Sequence, residues 1–283
     1  MKKSTAKKIT AQKITTTEEI DRQLEKDIEL IQGFRLIDDV FMSQCFDQEP
    51  APVQLVLRLS VKIPNLKVTD ARTQVNGPNL TKRSVRYDVL ATDSEGRKYN
   101  IEIQRTNAGA DPLRGRYNSS MMDVNYLPKG ASYTDLPETY VLFITEHDIY
   151  SRGKPVYRID RREEDGDLYK DKEHIIYVNG AYRGDTPMGR LMHDFFCTNP
   201  DDMYYEVLAD RVSYFKENKE GVKVMCDILQ KVRNEGKAEE RAKNTRDFAL
   251  RLLTGSDWST EKISRMSDLP VEEVEKLKAK LQA

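Results

Sequence analysis

The sequence predicts an α/β (α+β) domain in which helices flank a sheet, followed by a helical C-terminal extension. Three observations carry this. The stretch RYDVLATDSEGRKYNIEIQR, Arg86 to Arg105, alternates apolar and polar residues around a Gly-containing turn, the pattern of a β-hairpin. ETYVLFIT, Glu138 to Thr145, is a continuous apolar run rich in β-branched and aromatic residues, as expected of a strand buried on both faces. From about Asp201 the chain turns densely charged, with helical periodicity.

The elements follow in order. A helix is predicted from Thr17 to about Ile31, with a Thr cap, acids in its first turn and Gly33 as its interruption. Phe34, Ile37, Phe41 and Cys45 or Phe46 recur at helical spacing. A short apolar helix follows Pro52, then a strand in LKVTDARTQVN and a loop at Asn76-Gly77-Pro78. After the hairpin, Asp111-Pro112 opens a helix to about Tyr126, and Lys129-Gly130 closes that stretch. VYRIDRREEDGDLY and EHIIYVNG read as a strand pair around an acidic turn, and Met188 to Phe196 as a helix. In the tail, Asn234–Asn244 reads as a solvated helix, followed by helices over Thr245–Leu253, Thr260–Met266 and Val271–Leu281. The last two have the rhythm of a helix-turn-helix, which also suits a small helical packing element. The organisation expected is a basic arm over 1–17, a core domain over 18–200 and a helical extension over 201–283.

Composition excludes several classes. With 33% charged and 38% hydrophobic residues the chain is polar yet can still build a core. A net charge of -1 provides no global basic field, so any nucleic-acid surface must be local. Cys45, Cys197 and Cys226 are odd in number, far apart and without a CxxC, which fits a reducing compartment. His147 and His193 are read as structural. No apolar run reaches the roughly 18 residues that a membrane span needs. The basic N-terminus has no apolar segment of the signal-peptide kind.

The hairpin holds the chemistry. A three-residue loop, Ser94-Glu95-Gly96, closed by Gly96 in the left-handed conformation, pairs Asp93 with Arg97. The same register sets Asp88 opposite Glu102 and Arg86 opposite Gln104. Opposed residues of an antiparallel pair have Cβ atoms roughly 4.5–5.5 Å apart, where like charges repel. Two carboxylates so placed suit a hard cation such as Mg²⁺, which often takes only one or two of them. A two-residue loop would put the acids on opposite faces instead. The alternative is a solvated polar face with Arg86 or Lys98 neutralising the acids.

The order helix, three strands, helix, strand around Asp88 and Glu102-Ile103-Gln104 resembles the PD-(D/E)XK nuclease core. More narrowly, the chain is similar to the bacterial PD-(D/E)XK family of transposases and Rpn-like recombination-promoting nucleases. DDVFMSQCF resembles that family's N-terminal Asp-x-x-Phe-Lys segment at Asp38 and Phe41, with Met42 where the family often has Lys. RYDVLATDSEGRKYNIEIQ resembles its hairpin, and LRGRYNSSMMDVNYLPKGASYTDLPETYVLFIT its arginine–tyrosine helix and following strand. The resemblance extends from about Phe34 to near the C-terminus.

That resemblance implies a restriction-endonuclease-like core with a mixed central sheet flanked by helices. It implies Mg²⁺- or Mn²⁺-dependent cleavage of phosphodiester bonds in DNA, linked to recombination or mobile elements. Asp88 and Glu102 would be the ligands, the Ile103 carbonyl a third, and Asp38 (failing which Asp39) an outer carboxylate. Gln104 holds the position that is Lys in the broad superfamily and often Gln in this branch. Arg114, Arg116 and Tyr117 on the next helix, with Arg86 and Arg105, are candidates for DNA contact, and Lys82 and Arg83 add to the local basic cluster. A cytoplasmic, bacterial protein with no membrane partner is expected. Two other readings stand beside this one: a catalytically inactive relative that binds DNA or a partner through its tail, and a structural protein that forms homo-oligomers through its C-terminal helices.

Overall fold

The computed structural model describes residues 21–77 and 84–282. The basic arm over 1–17, the start of the first helix, Pro78 of the predicted loop, and Lys82 and Arg83 lie outside the described residues. The chain divides into two compact units, Met1–Val222 and Lys223–Ala283.

The first unit is built on a six-stranded mixed sheet. Its strands are β1 (Val68–Gly77), β2 (Val85–Asp93), β3 (Lys98–Gln104), β4 (Thr139–Thr145), β5 (Val156–Ile159) and β6 (Glu173–Asn179), in the spatial order β1-β2-β3-β4-β6-β5. The first three form an antiparallel meander, β3, β4 and β6 run parallel, and β5 returns antiparallel on β6. The parallel step from β3 to β4 needs a crossover, and α4 (Pro112–Tyr126) supplies it. This is a restriction-endonuclease-like α/β arrangement, as the sequence predicts.

Helices cover both faces of the sheet. On one face, Met121 and Met122 of α4 join Tyr87, Val141, Phe143 and Tyr177 in one apolar cluster. Gly115 lets α4 come close: an added Cβ would stand 3.3 Å from the Tyr177 hydroxyl and 3.4 Å from the Phe143 ring. The alternate side chains Ile101, Leu142 and Ile176 are buried as well. Around them lie α1 (21–33), α2 (Asp39–Phe46), α3 (Pro50–Val61), α5 (Pro187–Phe196) and α6 (Glu206–Glu217). The first unit extends past the change of composition at Asp201 because α6 is tied into it. Lys216 is buried, and its Nζ donates to the carbonyls of Gln32, Phe34 and Thr198. Arg211 pairs with Glu49 and reaches the Gln44 and Cys45 carbonyls.

The hairpin has the three-residue loop expected of it. Gly96 has φ 80°, its N–H donates to the Asp93 carbonyl, and Asp93 N–H donates to the Arg97 carbonyl. What the sequence hides is that Asp93 is buried. Its carboxylate accepts from Arg97 Nε (2.6 Å), the Tyr99 hydroxyl (2.7 Å) and the N–H groups of Glu95 and Arg97. One side chain thus fixes the turn and, through it, the register of both strands.

Two boundary expectations are corrected. Helix α1 runs through position 33 rather than stopping before Gly33, since one glycine costs a helix only about 1 kcal/mol. The helices expected over 234–244 and 245–253 are likewise one helix, α7 (Lys219–Gly255), because neither proline nor glycine stands at the Asn244-Thr245 junction. The second unit has its own small core, Ala249, Ile263 and Val274, where α8 (Thr260–Ser267) and α9 (Val271–Gln282) pack with the end of α7. Ser259 caps α8, and Arg246 pairs with Glu273 at 2.7 Å. Among the described residues, no helix is long and apolar enough to cross a membrane.

Replacing Asp93 by Ala strands Tyr99, Arg97 and two backbone donors. The expected loss is about 3 kcal/mol of stability, of the order seen when a buried pair loses one partner, measurable by denaturant unfolding.

Candidate active site

Glu102 and Gln104 lie at the carboxyl end of β3, where the chain leaves the sheet for α4. The β2–β3 ladder pairs Leu90 with Asn100 and Val89 with Ile101 and ends there. The same register sets Asp88 across from Glu102. With the ladder ended, the Asp88 carboxylate itself accepts the N–H of Ile103, at 2.9 Å. The acids that the sequence places on a polar strand face are in fact covered: Asp88 is 8% exposed and Glu102 is 0%. The cover is α4, whose Asp111 cap and Pro112 start it just beyond β3.

Arg114, in the first turn of α4, spans two site residues. Its Nη2 donates to Glu102 Oε2 at 2.7 Å and its Nη1 to Gln104 Oε1 at 3.2 Å. A guanidinium only donates, so the Gln104 oxygen must face it, and the amide NH₂ points elsewhere. Gly109 backs this arrangement. A Cβ there would lie 1.9 Å from Gln104 Oε1, so only glycine leaves the amide its place.

The electrostatics of the acid pair are those of a site short of positive charge. Burial pushes the Asp88 carboxyl up from its ordinary value, and the nearby charge of Asp39 adds to this. The Ile103 N–H, Arg114 and Arg86 act in the other direction. Burial raises Glu102 as well, followed by repulsion from Asp88; Arg114 opposes both without cancelling them. Glu102 Oε1 and both atoms of the Asn100 amide make no hydrogen bond of ordinary geometry, although the Asn100 side chain and the Asp88 N–H lie near enough to Glu102 to lower it somewhat. A divalent cation fits such a donor set: two buried acids, one with an oxygen free of any ordinary hydrogen bond, both raised first by burial and then by neighbouring negative charge. Among the described residues, no group of three or more His, Cys, Asp or Glu side chains is arranged to hold a metal.

The remaining residues singled out from the sequence lie as follows. Asp38 stands at the N-cap position of α2 without a capping side-chain hydrogen bond, and its carboxylate is taken up by Arg35 and Arg105, at 3.3 and 3.1 Å. Of the two neighbouring acids, Asp39 is the one whose charge acts on Asp88, and it accepts from Gln74 Nε2. Arg105 is further occupied by Glu146. Met42 is a core residue with no exposure. Arg86 is exposed on β2 and pairs across with Asn76 of β1. Arg116 and Tyr117 face outward on α4, and Arg116 lines a 190 Å³ cleft with Asp160, Arg161 and Glu173.

Sequence reasoning missed Asn100, the Gly109 cradle and the tie between Arg114 and Glu102. Period two along β3 already sets Asn100, Glu102 and Gln104 on one face, which was the available signal for the first. Gly109 and Arg114 sit in the connection after β3, and only the packing of that connection discloses them.

Residues 59–179 match the family model described as PD-(D/E)XK nuclease family transposase. The match spans β1 to β6, including Asp88, Glu102, Gln104 and Arg114, and does not reach back to α2 with Asp38 and Asp39. The chain has no significant match to a curated protein or to a solved structure. The match covers less than half of the chain, and over that region the chain is similar to a nuclease domain.

A carboxyl held above its ordinary value takes up a proton on folding. Its contribution to stability is full below about pH 4 and is lost as pH rises through the raised value. With chelator present, the melting temperature should therefore fall from pH 5 towards pH 8. Glu102→Gln should lessen that fall; an unchanged pH profile in the variant would contradict the raised Glu102.

Proposed function

We propose that this chain is a divalent-cation-dependent endonuclease that hydrolyses phosphodiester bonds in DNA, with a role in recombination or in mobile elements. The observation that carries the proposal is the burial of Asp88 and Glu102 side by side, with Glu102 Oε1 left without a hydrogen bond of ordinary geometry. Asp88, Glu102 and the carbonyl of Ile103 would hold the cation, for which Mg²⁺ is the first candidate and Mn²⁺ the second. Asp39, rather than the arginine-bound Asp38, is the better placed outer carboxylate. The cation's part is to acidify water and to offset charge that builds on the phosphate.

The protein's own residues do the rest. The Ile103 N–H fixes the Asp88 carboxylate in one orientation. With its oxygen turned to Arg114, Gln104 presents an NH₂ donor that can orient water or a phosphate oxygen. An amide neither takes up a proton at neutral pH nor carries positive charge, so Gln104 orients and does not act as a base. Arg114, Arg86 and Arg105 are the proposed phosphate contacts, with Arg116 and Tyr117 further along α4. The guanidinium fork suits phosphate, although Arg105 would first have to give up Asp38 or Glu146.

One observation favours a second reading, a binding module without catalysis. Gln104 replaces the side chain that would carry positive charge in the broad superfamily, and the nearest guanidinium is spent on Glu102.

Supercoiled plasmid separates the two. With Mg²⁺ or Mn²⁺ the protein should nick it, and Asp88→Ala or EDTA should lower the rate at least about a hundredfold, the upper end of what losing a mere supporting partner of a metal ligand costs. Equal nicking by the variant, or none by the wild type, would favour the binding module. Gln104→Lys in the active protein should bring no large gain; a large gain would mark Gln104 as a degenerate lysine.

A further inference from the structure

Resting on the reading of Asp88 and Glu102 as a cation site, we infer that Arg114 changes partners: it holds Glu102 and Gln104 while the site has no cation, and turns to a phosphate of the nucleic acid once a cation is bound. Arg114 then couples cation binding to DNA binding.

The argument starts from the unequal burial of the ion pair. The Glu102 side chain is 0% exposed, whereas that of Arg114 is 40% exposed. Glu102 cannot leave, since it is an interior residue of β3. Arg114 stands on the edge of α4 between the buried stripe (Gly115, Asn118, Ser119) and the outward residues Leu113, Arg116 and Tyr117. Rotation about its own side-chain bonds can therefore carry the guanidinium into solvent without moving the helix.

Charge supplies the drive. Of the two Glu102 oxygens, Oε2 is taken by Arg114 at 2.7 Å and Oε1 makes no hydrogen bond of ordinary geometry. A divalent ion on this buried carboxylate would place like charge beside the guanidinium, a repulsion that solvent screens only in part because Glu102 itself is fully covered. It would also supply the counter-charge that Arg114 now provides in part. Released in this way, Arg114 has its five donors free at the mouth of the site, and a phosphate accepts two of them in parallel. Arg105 behaves differently, because its partners Asp38 and Glu146 are not the carboxylates that take the cation.

The coupling is reciprocal, since a phosphate that captures Arg114 unveils Glu102 for the ion. The test measures binding of a short duplex across a salt series, with Ca²⁺ as probe cation or with EDTA, the duplex being verified intact afterwards. A lost phosphate contact lowers the slope of log K against log salt by about 0.9. Arg114→Gln should lower the slope by that amount in Ca²⁺ and leave it unchanged in EDTA. Arg114→Lys should restore most of the slope. Without DNA, Arg114→Gln should bind Mn²⁺ about tenfold more tightly than the wild type at pH 8.5, within the usual range of coupling between sites. Thermal melts confirm that the variants are folded.

An equal loss of slope in both conditions would make Arg114 a permanent phosphate contact and overturn the exchange. No loss in either, with weaker Mn²⁺ binding, would make it a fixed support of Glu102 and overturn it too. A wild type that binds neither Mn²⁺ nor DNA would remove the cation-site reading itself. A wild type that binds both, with no difference between Ca²⁺ and EDTA, would remove the exchange alone.

Discussion

The first unit depends on one electrostatic constraint: two carboxylates are buried next to each other where β2 and β3 part. Asp88 leaves the ladder and turns its side chain onto the Ile103 N–H, while Glu102 lies under α4 with one oxygen on Arg114 and the other without a hydrogen bond of ordinary geometry. Nothing about folding alone asks for such a pair. Desolvated acids cost free energy, and like charges side by side cost more. The surrounding sheet, with both faces covered and its hairpin stapled by Asp93, is what forces the two acids to remain together. Strain of this kind concentrates where a protein binds or reacts.

Around the pair, each neighbour limits what the site can do. Arg114 is a counter-charge of the wrong valence: it lowers the raised Glu102 but does not return it to the ordinary range. Gln104 is fixed by an arginine on one side and by the absence of a side chain at Gly109 on the other. The result is a centre whose positive charge must come largely from outside the protein. A nucleic-acid phosphate is repelled by carboxylates whose negative charge is not offset, so cation and substrate are expected to depend on each other.

Much of this was legible in the sequence, and for physical reasons. A hairpin loop with Gly at the left-handed position sets a register, and the register sets Asp88 across from Glu102. The apolar run of Glu138–Thr145 could only be a strand buried on both faces, and β4 is that strand. The continuous α7 was less legible, because its dense charge and the exposed Gly236 blur the apolar pattern without breaking the helix. Asp93 and Lys216 were not legible at all. Both look like surface charges in a polar stretch, and only long-range packing turns them into buried anchors. Asp38 and Asp39 are adjacent in sequence, and only the structure shows that arginines claim the first while the second acts on Asp88.

The central claim is that a cation takes the place of protons on Asp88 and Glu102. Calorimetric titration of Mn²⁺ at pH 6.5, repeated in buffers of different ionisation enthalpy, counts the protons released per ion bound. The account predicts a release of at least about one proton per ion, because ligating carboxylates must be deprotonated. It also predicts loss of both binding and release in a protein carrying Asp88→Asn with Glu102→Gln. Mn²⁺ binding with no proton release, or binding that survives the double substitution, would contradict it.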